Sequence, residues 1–317
     1  MGLAPRRPRS KSTAPIRRSL VRTEWETADW VMPSAWAAAE RLPALSTATS
    51  TRSSCGARSV IRSVPRSLMT FHEHCSWKRS LVTLGTPGAR KLPSYAGVPL
   101  AAHLSILGGT GLTAYVAVTR TLEFRAGQDL FVSAAAGGVG TAVGRIARLL
   151  GAGRIIGSTG SSAKAAHLTE HVGFDAAFDY HDGPVGELLA KAAPDGIDAF
   201  VDNVGGDHLE GGISALRDHG RIAWVGAITQ YHSAGRPPAA PRNLYDVVGR
   251  SLRLEGVLVR NYRHLQDELE EFLVPHLQTG LITPDVTVVD GIERTVDGFL
   301  GILRGENTGK MLIRTGA

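Results

Sequence analysis

Apolar and polar positions follow no sustained period over the first 63 residues, where only Ser19-Leu-Val-Arg-Thr-Glu-Trp25 has the pattern of a strand. From about residue 95 the pattern becomes regular. Leu130 and Val132 alternate as in a strand, and the run then breaks at Ser133-Ala-Ala-Ala-Gly-Gly138. Beyond that turn Val139, Val143, Ile146, Ala147 and Leu150 recur at helical spacing until Gly151. Further strands are expected at 154–157, 177–179, Ile197–Asp202, 220–225 and 252–259. Helices are expected between them at 162–171, Val185–Ala192 and about 208–216. Short apolar strands alternating with helices imply an α/β fold whose parallel sheet is doubly wound and covered on both faces. Leu265, Leu269, Phe272 and Leu273 then mark an amphipathic helix, interrupted at Pro275. The stretch 286–313 reads as β-rich with one short helix and is assigned to a different domain.

Strand, small-residue turn and helix in that order form the layout that lays a pyrophosphate on the N–H groups of a helix N-terminus. A glycine turn alone also serves as a plain tight turn. Here the strand before it and the helix after it complete the motif, so dinucleotide binding is expected. The end of the second strand is where a carboxylate would hold the ribose 2′-OH of NAD. No Asp or Glu stands there; the chain reads Gly157-Ser-Thr-Gly-Ser-Ser-Ala-Lys164. Hydroxyls, N–H groups and one ammonium suit a 2′-phosphate, which favours NADPH. The plainer alternative is that Ser161 or Ser162 caps the next helix while Lys164 is solvated.

The formal charge of +6 is unevenly spread. Residues 1–63 hold eleven Lys and Arg against four Asp and Glu, while the remainder balances at 24 against 25. A near-neutral body gives no reason to expect nucleic acid as a partner. With 317 residues, 43% of them hydrophobic, the chain can build two domains. No run of 18 apolar residues suggests a membrane span. Cys55 and Cys75 are too few for a disulfide framework, and a reducing, cytoplasmic location is expected. Eleven histidines are scattered, with no Cys/His pair at the spacing of a catalytic zinc site, so no metal is expected. For residues 1–63 three readings stand: a basic tail without fixed structure, an organellar transit peptide, or a frame-shifted stretch of coding sequence.

From Ala96 onward, over about two-thirds of its length, the chain resembles the medium-chain dehydrogenase/reductase superfamily. It is most similar there to the zinc-free, NADPH-dependent alkenal/one and prostaglandin (leukotriene) reductases. The resemblance is carried by Leu107-Gly-Gly-Thr-Gly-Leu-Thr-Ala-Tyr115, the turn from Ala134 to Gly140, and Phe174-Asp-Ala-Ala-Phe-Asp-Tyr180. Further matches are Phe200-Val-Asp-Asn-Val-Gly-Gly206, Val225-Gly-Ala-Ile-Thr-Gln-Tyr231 and Asn307-Thr-Gly-Lys310. It implies a Rossmann domain over 116–279 and a β-rich, chaperonin-10-like substrate domain from 64–115 with 280–317.

The resemblance also implies roles. Gly137, Gly138, Val139 and Gly140 would bind the pyrophosphate, and Lys164 and Tyr180 the 2′-phosphate. Asn203 would sit beside the nicotinamide half, lined further by Val225, Gly226, Ala227, Ile228, Thr229 and Val259, with Asn307 closing over it. Tyr231 is the candidate catalytic residue, a phenol aimed at the carbonyl oxygen of an enone as its double bond is reduced. Alone, Tyr180 reads equally as strand-end packing, and Asn203 as a turn residue. Tyr231, between polar Gln230 and His232, is poorly placed for a core.

The N-terminal part departs from this pattern. Where that branch carries a Ser-x-Asp-Pro-Tyr-Met-Arg motif, this chain reads Glu26-Thr-Ala-Asp-Trp-Val-Met-Pro33. The functions implied are NADPH-dependent enone reduction, quinone reduction within the same superfamily, or NADPH binding without catalysis. A small enone is the expected partner, and a homodimer the candidate assembly. An uninterrupted reading frame on resequencing the gene, shared by close relatives, would remove the frame-shift reading.

Overall fold

The computed structural model describes residues 92–231 and 240–315. Residues 1–63, both cysteines and the larger part of 64–115 lie outside them, and so do the three readings of the N-terminal segment. After helices α1 (Leu100–Leu104) and α2 (Gly109–Val116), the chain alternates strand and helix. The order is β1 (Leu130–Val132), α3 (Gly138–Leu149), β2 (Ile155–Thr159), α4 (Ser162–His167), β3 (Ala176–Asp179), α5 (Val185–Ala192), β4 (Ile197–Asp202) and α6 (Gly206–Ala215). Next come β5 (Leu216–Trp224), the short α7 (Ile228–Tyr231), α8 (Tyr245–Gly249), β6 (Arg253–Gly256) and α9 (Gln266–Gln278). The chain ends in β7 (Val286–Asp290), α10 (Thr295–Leu303) and β8 (Lys310–Arg314).

Strands β1 to β6 form one parallel sheet in the order β3-β2-β1-β4-β5-β6. Connections run one way from β1 and the other way from β4, so a crevice opens beyond their carboxyl ends. Successive strand side chains face opposite sides of the sheet, which explains the unbroken apolar runs. Leu130, Val132, Ile155 and Val201 pack with Leu112 of α2, Val143 and Ile146 of α3, and Leu269 and Leu273 of α9. Phe131, Ile156, Phe200 and Ile222 pack on the other face with Leu189 of α5 and Leu209 and Ile213 of α6. The doubly wound α/β sheet expected from the sequence is therefore present.

Several boundaries differ from expectation. β2 runs on to Thr159, so Ser158 and Thr159 are buried strand residues. β5 begins at Leu216 and takes up the end of the helix expected there, through a register shift against β4. β6 is shorter than 252–259. The helix expected to break at Pro275 continues through it as α9. Pro275 is exposed, so the carbonyl its missing N–H leaves unserved lies on the side where water can reach it. Residues 109–116, part of the motif assigned to the substrate domain, form a helix packed in the same core as α3. The tail is a parallel β7–β8 pair joined by α10, in keeping with a β-rich segment holding one short helix.

At the centre of the second face, the Phe131 ring is wholly buried and stacks on Phe200 (4.8 Å between centroids) and Phe178 (6.0 Å). Phe131→Ala is expected to lower stability by about 3–5 kcal/mol, read as a shift in the urea midpoint with unchanged slope.

Candidate functional site

Because the six strands are parallel, the loops that follow them all emerge at one edge. Gly137 caps α3 and is followed by Gly138, Val139 and Gly140 in its first turn. An α-helix leaves the N–H groups of that turn without intrahelical acceptors, and they suit an anion. The glycines serve here as space rather than as left-handed backbone. The residue with positive φ in this turn is Ala134 (47°), and a Cβ at Gly140 would stand 2.5 Å from Ala135 Cα. No side chain fits where helix and turn meet this closely.

Lys164 lies in the first turn of α4, beyond the end of β2. Ser161 does cap that helix, its Oγ accepting from Lys164 N at 3.3 Å. Lys164 is nonetheless not simply solvated. It is half-buried, burial lowers its pKa, and its ammonium donates to the Gly305 carbonyl. Tyr180, in the turn after β3, is 40% exposed, and its hydroxyl would lie 3.2 Å from a Cβ on Gly160. Its ring meets His208 edge-on at 5.3 Å.

Asn203 follows β4. Its Nδ2 donates to the Ser133 carbonyl at 2.7 Å and its N–H to Ser133 Oγ at 2.8 Å, across the crevice to the end of β1. Asp202 beside it is fully buried and accepts from Ser133 Oγ (2.7 Å), Val204 N (3.0 Å) and Gly205 N (3.0 Å). Burial pushes its carboxyl up and these hydrogen bonds pull it down, leaving it above the usual range. Val225, Gly226, Ala227, Ile228 and Thr229 follow β5; Val225 N and Gly226 N donate to the Asp202 carbonyl, and Thr229 Oγ1 to that of Val204 (2.8 Å). Val259, after β6, is half-buried. Tyr231 is the last residue of α7.

Asn307 comes from the C-terminal segment, just before β8. Gly309 forms a parallel bridge with Gly137 and donates to the Ala136 carbonyl at 2.8 Å. Asn307 Nδ2 donates to the Gly309 carbonyl at 2.7 Å. The structure thus brings the first-turn glycines, Asn203, the 225–229 loop and the Asn307 segment to one sheet edge, with Lys164 and Tyr180 at its β2–β3 end.

Three contributors were missed by sequence reasoning: Ser133, Asp202 and His208. Asp202 stood within a quoted motif, but nothing in the motif gave its partner 69 residues away. His208 is 6% exposed and its Nε2 has no hydrogen-bond partner among the described residues, nor has the buried Ser158 Oγ. The donor-rich helix start, a turn with no room for a Cβ at Gly140, and these two unserved polar atoms all fit a dinucleotide. No three His, Cys, Asp or Glu side chains gather as a metal site among the described residues. No helix among them is long and apolar enough to cross a membrane.

Fold and site define a dinucleotide-binding α/β protein. The family model described as zinc-binding dehydrogenase matches residues 138–278. (+)-Pulegone reductase of Mentha piperita is 36% identical over 217 residues, 68% of this chain and 63% of that protein. Prostaglandin reductase 1 of Rattus norvegicus is 36% identical over 231 residues, 72% of this chain and 69% of that protein. Among solved structures, CurA in complex with NADPH from Vibrio vulnificus superposes with a TM-score of 0.64 at 31% identity, over 68% of this chain and 65% of that one. The chain belongs to the zinc-free enone-reductase branch of the medium-chain dehydrogenase/reductase superfamily. It spans 63% of the length of the pulegone reductase that it matches.

Burial pushes the His208 imidazole from 6.5 down to about 4, against a smaller upward pull from Asp207. The folded value lies below the unfolded one, so on acidification the unfolded chain takes the proton first. Stability is therefore intact above about pH 6.5 and falls between there and pH 4, by about 3 kcal/mol for a difference of that size. Urea midpoints at pH 7.5 and 4.5 should differ more for the wild type than for His208→Phe.

Proposed function

We propose that this chain reduces the carbon–carbon double bond of α,β-unsaturated ketones and aldehydes with NADPH. The observation that carries the reading is the end of β2: the chain leaving it runs Gly160-Ser-Ser-Ala-Lys164 with no Asp or Glu, and Lys164 and the Tyr180 phenol stand beside it. Relatives named as reductases of pulegone and prostaglandin support the substrate class, and the NADPH complex of CurA supports the cofactor.

The chemistry drawn from bound NADPH is a hydride delivered to the β-carbon. What this chain supplies is position, a proton and exclusion of water. The first-turn N–H groups of Gly138, Val139 and Gly140, with Gly137 before them, hold the pyrophosphate. Lys164 and Tyr180 hold the 2′-phosphate. Asn203, already fixed to Ser133, lines the nicotinamide half with Val225, Gly226, Ala227, Ile228, Thr229 and Val259. Asn307 closes the far side. Tyr231, at the end of α7 beyond β5, is the proposed proton donor to the substrate carbonyl oxygen, where negative charge grows as the enolate forms. A phenol with an ordinary pKa near ~10 remains a donor at neutral pH. The partner is a small enone, and the proposed assembly is a homodimer in the cytoplasm.

Loss of nicotinamide absorbance with a small enone tests the reaction directly. NADPH binding without turnover would leave a binding protein, and turnover of quinones alone the quinone-reductase reading. Lys164→Ala is expected to weaken NADPH by about 1–3 kcal/mol and leave NADH nearly unchanged; equal losses would remove Lys164 from the phosphate. Tyr231→Phe should lower kcat and kcat/KM together, by ~10-fold to ~1,000-fold, with NADPH affinity almost intact. Steady-state kinetics at saturating NADPH decides, and an equally active Phe variant would remove Tyr231 from the mechanism.

A further inference from the structure

One buried carboxylate has no part in the reading above. Asp285 lies between α9 and β7, and its Oδ2 accepts from Arg145 Nε of α3 at 2.8 Å. The two side chains are only 8% and 7% exposed. The other oxygen, Oδ1, lies 3.1 Å from His167 Nε2 of α4. Arg145 also reaches the His171 carbonyl (3.4 Å) and Thr283 Oγ1 (3.5 Å). A single carboxylate thus joins the helix that begins at the glycine turn to the helix that carries Lys164.

The main chain of the same residue holds the C-terminal segment. The Asp285 carbonyl accepts from Lys310 N at 2.9 Å, and Gly309, at φ +67°, packs so closely that any Cβ would overlap that carbonyl. Between these fixed points residues 305–309 form an arm laid along the cofactor edge. Gly309 bridges to Gly137, Thr308 N donates to Thr287 Oγ1 at 3.0 Å, and Gly305 receives the Lys164 ammonium. A cavity of about 330 Å³ opens between α4 and this arm, lined by Lys164, His167, Asp285 and Thr308 among others.

A buried ion pair is a weak source of stability, because desolvating both charges offsets most of their attraction. An apolar pair of similar volume would hold α3 to the tail about as well. What the charged pair adds is direction, since guanidinium and carboxylate meet in few geometries. We infer that Asp285 is a positioning residue for the cofactor reaction: its carboxylate, held by Arg145 and His167, sets where the arm carrying Asn307 lies over the glycine turn and Lys164. The inference rests on the proposed cofactor reading of α3 and α4, but the arm itself can be examined without cofactor.

The test uses the full chain and an Arg145→Met/Asp285→Leu double variant, with His167→Gln as a second, half-exposed substitution. Hydrogen exchange of peptides covering 305–310 is measured in the free protein, thermal unfolding alongside it, and NADPH affinity by quenching of nicotinamide fluorescence. The double variant is expected to unfold within a few degrees of wild type while its arm exchanges ~10-fold faster and NADPH affinity falls ~10-fold, about 1.4 kcal/mol. His167→Gln should give a smaller rise confined to the same peptides. Unchanged arm exchange in both variants would overturn the inference. So would faster exchange in all peptides in step with a lower melting temperature, which marks a merely structural pair. Failure of the wild type to reduce enones would overturn the proposed reaction and leave the arm measurement standing.

Discussion

Asp202 ends β4 without solvent contact, and its carboxylate is held by the Ser133 hydroxyl and by the N–H groups of Val204 and Gly205. That small network sits where the chain changes direction between β1 and β4. It draws Ser133 toward the end of β4, and Ser133 in turn receives both the backbone and the side-chain donors of Asn203. The Asp202 carbonyl then receives the two N–H groups that begin the loop after β5. Three loops that line the cofactor edge thus take their position from one residue. A buried acid costs free energy unless every lone pair is served, and here the service is what shapes the crevice.

The two ends of the sheet divide the work. At the amino edge Asp129 pairs with Arg154 (3.0 Å) and Arg217 (2.9 Å), and Arg217 pairs with Asp198 (2.7 Å). Burial raises the Asp129 carboxyl, but the two guanidiniums prevail and hold it below its usual range. These pairs staple β1, β2, β4 and β5 at the edge opposite the cofactor loops. The carboxyl edge carries the first-turn N–H groups of α3, the Lys164 ammonium, the Asn203 and Asn307 amides and the Asp202–Ser133 pair. A rigid base and a donor-lined rim are what an open α/β sheet needs to present loops to a ligand.

Much of this was legible in the sequence because it is local. Strand, turn and helix around Gly137 follow from a change of period within some twenty residues, and the absence of an acid after β2 needs only the strand to be placed. Pro275 was misjudged because period alone does not show which side of a helix is wet. Asp202 with Ser133, Arg145 with Asp285, and Tyr180 with His208 were not legible at all. Each pair is made across the fold, and one sequence carries no record of which distant residue meets which. The order of strand, turn and helix did not show that Gly140 is needed for want of room, nor that the left-handed residue of the turn is Ala134.

The tail that carries Asn307 has a consequence for the order of folding. Its fastening to α3 joins residues 140 apart in sequence, whereas the βα units of the sheet close within a few tens of residues. Loop-closure entropy and contact order place such a joint late on the folding path, after the sheet already stands. Contacts absent from the transition state govern the rate of unfolding more than that of folding. Among the described segments the tail is accordingly expected to dock after the sheet and to open more readily than it.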